Sequence, residues 1–405
     1  MAAIDITLRV ANSIGDVDAA AWDACANPPR VDDSCVADAP ATALFTLKSD
    51  FNPFISHDFL SSLEKSGSVR NRTGWQPLHL LAEAAGGELL GAVPCYAKSH
   101  SQGEYVFDHG WAEAYERAGG SYYPKLQVSV PFTPAGGRRL LVRPGPQAEA
   151  VREVLADGLA EVCRQSNASS VHVTFPTEPE WQLLGARGYL QRTHRQFHWE
   201  NAGYSSFDAF LGALSSRKRK VIRREREDAL ANGISVHWLT GADLTESVWD
   251  AFFDFYMETG SRKWGRPYLT RSFYSLVGEC MRERILLVMA KRNGRFIAGA
   301  INFIGSETLF GRHWGAVEHH PFLHFELCYY QAIDYAIQHK LARVEAGAQG
   351  EHKISRGYMP VTTYSAHYIV DPGLRRAIAD YLKHERVHIA AEVEDLAEAA
   401  PFRKC

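Results

Sequence analysis

Residues 311–367 read GRHWGAVEHHPFLHFELCYYQAIDYAIQHKLARVEAGAQGEHKISRGYMPVTTYSAH, and the fold turns on this stretch. It opens as a strand, then places Phe325, Tyr329, Ala332, Ile333 and Ala336 at helical spacing, and the short strand ARVEAG follows. Ionisable groups crowd the junctions. His313, Glu318, His319, His320, His324 and Glu326 precede or open the helix, while Glu345, Gln349, Glu351, His352, Lys353 and Arg356 follow the second strand. A scaffold that needed only a core would not gather so many charges where a strand meets a helix. This half of the chain is therefore expected to hold the active site.

Immediately upstream, residues 285–305 (ILLVMAKRNGRFIAGAINFIG) form two apolar runs around Asn293-Gly294, a favoured tight-turn pair. The order is thus hairpin, strand, helix, strand. The first half has a similar grammar: a hairpin signal at 77–97 around Gly86 and Gly87, then an amphipathic helix over 147–165. Val151, Val154, Leu155, Leu159 and Val162 share one face of that helix, and the strand VHVTF follows. The pattern predicts an α/β (α+β) protein of two similarly built units, 1–200 and 201–405, divided near 201–206. Residues 27–43 (NPPRVDDSCVADAPATA) read as a loop or insertion. The second unit is expected to open with one long helix over 206–233 and to close with another from about 372 to 399.

A chain of 405 residues suits two cores better than one, and 46% apolar with 22% charged residues is an ordinary globular composition. A net charge of −3 argues against a general nucleic-acid coat. The seven cysteines include no C-x-x-C pair, so reduced thiols are expected rather than a zinc ribbon or a disulfide framework. Cys280 and Cys328 sit among apolar neighbours and read as core residues. No basic-then-apolar leader and no apolar run of about 20 residues is visible, so a soluble, cytoplasmic protein is expected.

Several side chains could carry chemistry. His324 and Glu326, at the start of the helix, could take a proton from an attacking amine, with His313 assisting. In EAGAQGEHKISRGY, Glu351 or His352 could be the base, and Lys353 and Arg356 could grip phosphate or carboxylate. Arg312, Tyr330 and Gln349 complete the candidate substrate-binding set. The run Arg217, Lys218, Arg219 and Lys220 could follow a phosphate backbone, although Glu225, Glu227 and Asp228 offset it. No H-E-x-x-H spacing occurs, and no metal site is expected.

The order from 285 to 346 is similar to the core of the GNAT superfamily of acyltransferases. Those enzymes carry R/Q-x-x-G-x-G/A between a strand and a helix, where backbone N–H groups hold the pyrophosphate of coenzyme A. Residues 312–317, RHWGAV, resemble that motif but place Val317 where Gly or Ala belongs.

Three longer stretches, YYPKLQVSVPFTPAGGRRLL (122–141), LHFELCYYQAIDYAI (323–337) and VEAGAQGEHKISRGYMPVTTYSAH (344–367), resemble a bacterial FemAB-like, GNAT-related family labelled peptidoglycan biosynthesis or recognition. The resemblance spans about 50–371. It implies two tandem GNAT-like folds and an acyl- or aminoacyl-transferase that joins an activated donor to a small-molecule or peptide amine. The co-substrate would be aminoacyl-tRNA, acyl-CoA or an acyl-carrier protein, with no tightly bound cofactor. The basic run at 217–220 resembles the helix opening the second domain of such proteins, while no helical-hairpin arm is evident. Cell-wall and specialised-metabolite assembly both fit. A non-catalytic glycan- or peptide-recognition protein is the main alternative, and a metal-dependent hydrolase another.

Overall fold

The computed structural model describes residues 5–29, 51–264, 267–347 and 350–403. Most of the proposed insertion 27–43 therefore lies outside the described residues, as does Gln349. Among the described residues, nine strands precede the middle of the chain: β1 (Ile6–Ala11), β2 (Trp75–Pro77), β3 (His79–Ala84), β4 (Leu89–Val93), β5 (Cys95–Lys98), β6 (Lys125–Val128), β7 (Leu141–Val142), β8 (Ser170–Thr174) and β9 (Leu190–Glu200). Six follow it: β10 (Ile234–Leu239), β11 (Ile285–Arg292), β12 (Arg295–Ile304), β13 (Thr308–Ala316), β14 (Arg343–Glu345) and β15 (Met359–Ile369).

The chain forms two compact units. One comprises Met1–His194 with Thr362–Ala391, the other Arg195–Val361 with Glu392–Cys405. Where the sequence suggested one boundary near residue 200, Thr362–Ala391 groups with the first unit. That segment holds most of β15, which pairs with β8, and most of the last helix, Pro372–Glu398.

In the first unit β1, β3, β4 and β7 make a small antiparallel sheet. A second sheet runs β2, β5, β6, β8 and β15, with β6 and β8 parallel. The helix Ala148–Gln165 lies between β6 and β8 in sequence and buries Val151, Leu155, Leu159 and Cys163 against Leu126, Val128, Val171 and Val173. The apolar stripe of that helix is the one its periodicity announces. Upstream, Ser56 accepts from the N–H of Phe59 and caps the helix His57–Lys65.

In the second unit β10, β11, β12 and β13 are antiparallel neighbours, β14 joins β13 in parallel, and the end of β9 closes the sheet antiparallel to β14. The β11–β12 hairpin turns at Asn293 and Gly294, with φ of 50° and 76°, the positive values that this pair tolerates. Both units thus contain a strand, a helix and a parallel strand in succession, as expected of tandem GNAT-like domains.

One expected element is divided. The helix expected over 206–233 is two, Phe207–Ala213 and Ser216–Ala229. Leu214 is extended, with ψ of 158°, and bridges to Phe402 near the end of the chain. A distant partner interrupts a sequence of good helix formers.

Candidate functional site

The site follows from how β13 is paired. On one side it pairs with β12 from Leu309 to Ala316; on the other it meets β14 only at Thr308, Phe310 and Leu309, opposite Arg343–Glu345. Gly347, at φ 78°, then turns the chain away. Past Phe310 the parallel strands part. The β12–β13 register also shifts between Ile301 and Asn302, which leaves Arg312 as the extra residue of a bulge. The result is a small cleft of about 100 Å³, partly open to solvent, lined by Asn302, Arg312, His313, Trp314, His324, Cys328 and Tyr329 among others.

The opposite wall is a helix of three parts. Leu323–Phe325 begins it after Pro321, Glu326–Tyr330 form a wide π turn, and Gln331–Gln338 continue as α-helix. Such turns often mark functional positions, and here the turn carries Cys328 and Tyr329 into the cleft wall. His324 packs against Trp314 and Tyr329, with ring centroids 5.1 and 5.4 Å apart. The Tyr329 hydroxyl is 3.0 Å from His352 Nε2, and burial raises the tyrosine pKa, so the phenol stays protonated. His313 is partly buried beside Tyr256, and burial, helped by Arg312, draws its pKa down to about 3.

Of the residues singled out from sequence, Arg312, His313 and His324 line the cleft, and His352 reaches it through Tyr329. The other described ones have internal partners or lie on the surface. Glu326 is wholly buried, where Arg226 holds both its oxygens at 2.9–3.2 Å and Gln331 donates at 2.7 Å. Arg356 donates to both oxygens of Glu225 at 2.8 and 2.9 Å and stacks on Phe325 at 3.5 Å. Tyr330 donates to the same Glu225. Lys353 is buried with its ammonium on the carbonyls of Ala346 and Gly347, at 2.7 and 3.0 Å, and burial lowers it to about 8. Glu351 is exposed, 3.6 Å from Arg195.

The helix Ser216–Ala229 divides its charges between two faces. Glu225 and Arg226 turn inward as described, and Lys218 donates to Ser355 at 3.0 Å. Arg217, Lys220, Arg223 and Arg224 stay exposed, and Arg219 is partly so.

The RHWGAV segment is strand rather than loop. A Cβ on Gly315 would stand 2.0 Å from the Phe255 carbonyl oxygen. The N–H of Ala316 donates to Thr259 Oγ1 at 3.3 Å, and that of Val317 to the Ile297 carbonyl at 2.9 Å. These backbone donors are engaged within the protein, not gathered toward a phosphate.

Sequence reasoning missed Tyr329, Trp314 and Asn302, and read Cys328 as core, although it lines the cleft. Cys280, also read as core, is exposed. Tyr329 continued the apolar stripe of Phe325 and Ile333, so its periodicity spoke only for burial. Among the described residues no group of three or more His, Cys, Asp and Glu side chains is placed to hold a metal ion. No helix there is long and apolar enough to cross a membrane.

Residues 13–404 match the FemAB_like family, described as peptidoglycan biosynthesis/recognition. The chain belongs to the FemAB-like family. Comparison with curated proteins gives no match. Among solved structures, a conserved protein of unknown function from Bacteroides thetaiotaomicron VPI-5482 shares the fold at 11% identity, with a TM-score of 0.50 over 90% of this chain and 100% of that one. FemX is similar at 12% identity, with a TM-score of 0.49 over 78% of this chain and 93% of its own. A tandem GNAT protein from the clavulanic acid biosynthesis pathway, also 12% identical, covers 91% of this chain and 99% of its own with a TM-score of 0.44.

Proposed function

We propose that the cleft beside β13 transfers an acyl or aminoacyl group to an amine by direct attack. The observation that carries this reading is the parting of β13 from β14 over a wall holding His324 and the Tyr329–His352 pair. The donor carbonyl lies in the opening, and the amine nitrogen bonds to its carbon. His324 takes the proton from that nitrogen. The C–O or C–S bond to the donor's carrier breaks, and Tyr329 gives its proton to the departing atom. His352 returns a proton to Tyr329 and is reprotonated from water, while His324 releases to water the proton it took. Glu326 and Arg356 shape the wall instead of meeting the substrate.

Aminoacyl-tRNA is the favoured donor. The exposed cations Arg217, Lys220, Arg223 and Arg224 suit a phosphate backbone, whereas the backbone donors of the RHWGAV strand are already engaged. The acceptor is a small-molecule or peptide amine, in keeping with the family's link to peptidoglycan. The test is to incubate the protein with aminoacyl-tRNA, acyl-CoA or acyl-carrier protein and an amine-bearing cell-wall peptide. Mass spectrometry should show a new amide together with the freed tRNA. An amide made from a thioester instead would move the donor. No amide from any donor, with saturable binding of glycan or peptide, would favour recognition, which the aromatic wall of Trp314, Phe325 and Tyr329 could also serve.

A further inference from the structure

A dense cluster of buried charge lies in the first unit. Strand register sets Trp75 opposite Lys98, Lys98 opposite Lys125, Gln127 opposite His172, and His172 opposite His367. Residues paired in this way share one face of the sheet. The other face carries Cys95, Leu126, Val128, Val171, Val173 and Ala366 into the hydrophobic core. A face of lysine, glutamine and histidine would ordinarily meet water. Here Lys98, Lys125 and Gln127 are fully buried.

Their cover is residues 99–108, which have no regular structure and pass through Gly103 and Tyr105 at φ 80° and 61°. Positive φ at a tyrosine is an uncommon conformation. Lys125 fastens this segment, donating to Ser101 at 2.8 Å, Glu104 at 2.7 Å and Asp108 at 2.5 Å. Lys98 donates to the Gln102 carbonyl at 3.1 Å, stands 3.6 Å above the Trp75 ring, and has Glu104 Oε1 at 3.8 Å.

The charges are sorted. Both ammonium groups sit on strands and both carboxylates on the covering segment. Two lysines directly opposite in an antiparallel pair repel one another, and a buried ammonium is costly without a close anion. A face needed only for packing would do as well with apolar residues. The fit of cover to face is also incomplete. Trp75 Nε1, Glu104 Oε1, Asp108 Oδ1 and Gln127 Oε1 are buried without a hydrogen-bond partner among the described residues. Native interiors rarely leave such atoms unmatched. Burial outweighs pairing where Glu104 nears Lys98, drawing the lysine down to about 7 and the carboxyl up to about 7.

We propose that the Lys98–Lys125 face of the first unit is a second binding site, for a compact oxyanion bearing phosphate or carboxylate groups. Residues 99–108 are then a strap whose Glu104 and Asp108 carboxylates hold the ligand's place. An incoming oxyanion bridges the two ammonium groups as Glu104 does now, and Gln127 and the Trp75 N–H bond its remaining polar atoms. The strap is released outward, where Phe107 already stands exposed. This inference is independent of the transfer reaction in the second unit.

The experiment titrates the wild-type protein with sodium pyrophosphate or sodium succinate, at ionic strength held constant with sodium chloride. Hydrogen exchange in residues 99–108 is followed by mass spectrometry. One of the two anions should speed exchange in the strap, and which one does so separates phosphate from carboxylate ligands. Glu104→Gln weakens the competing cover, so it should bind that anion about tenfold more tightly. Lys98→Met should bind it no better than chloride. Should Glu104→Gln fail to fold, wild-type exchange and Lys98→Met decide. Strap exchange unchanged by both anions, or binding that survives Lys98→Met, overturns the proposal and leaves Glu104 and Asp108 as structural partners of the lysines.

Discussion

Arg356 and Tyr329 both contact Phe325 and His352, yet their polar groups are engaged differently. Arg356 has its guanidinium spent on Glu225 and on the face of Phe325. Removing it strands a largely buried carboxylate, so Arg356→Ala should cost about 3–5 kcal/mol of stability, read from urea unfolding. A variant as stable as wild type would return Arg356 to the list of ligand-binding side chains. Tyr329→Phe loses one hydrogen bond, to His352, worth about 1 kcal/mol. In the proposed transfer it should lower kcat by about 10²–10⁴-fold with little change in Tm. Turnover at the wild-type rate would remove the tyrosine from the proton path. The two substitutions together separate a residue that builds the wall from one that works in it.

At the scale of elements, the cleft depends on a strand that is paired on both sides up to Phe310 and on one side only beyond it. Gly315 lets β13 lie against the backbone of the helix Glu246–Trp264, close to Phe255. Gly315→Ala must push strand and helix apart, because the obstructing atom is a carbonyl oxygen with no rotamer to change. A loss of about 1–3 kcal/mol or more is expected from such overpacking, together with a weaker ligand interaction in the cleft beside it. An alanine variant with unaltered Tm would show that β13 has slack. The basic helix gives a complementary test. Arg217→Glu with Lys220→Glu changes exposed residues only and should leave Tm within about 1 °C, since exposed substitutions shift stability little. Binding to aminoacyl-tRNA should fall, and the dependence of affinity on salt should flatten as phosphate contacts are lost. Undiminished tRNA binding would make that face merely solvated.

For the whole molecule, buried imidazoles govern the response to acid. Burial lowers His172, His198 and His313 to about 3, His194 to about 4, and His367 well below its usual value. Each is neutral in the folded chain at pH 5 but protonated once unfolded, where the ordinary value of 6.5 returns. The unfolded chain therefore binds more protons, and stability falls as the pH drops from about 6.5 toward 4, each imidazole adding up to about 1.4 kcal/mol per pH unit to the slope. Urea midpoints measured across that range should decline steeply. A flat profile would mean that these histidines reach water in the native state.

Periodicity and turn chemistry announced most of the architecture: the Ala148–Gln165 helix, the Asn293-Gly294 hairpin, and the strand–helix–strand order at the site. Those features are local, decided by residues within a turn or two of one another. The chemistry was legible only as a neighbourhood. Composition placed Glu326, Arg356 and Tyr330 among the candidates, but whether a charged side chain faces a substrate or a partner 100 or more residues away is not a local property. Arg226, 100 residues before Glu326, and Glu225, 131 before Arg356, settle that. The same limit hid Tyr329, whose apolar spacing is identical for a core residue and for a cleft wall. Sequence by itself determined the elements and their order, because those follow from side-chain spacing and backbone preference. Only the tertiary structure decided which charges are neutralised within and which stay available, because pairing energy depends on distances that folding alone creates.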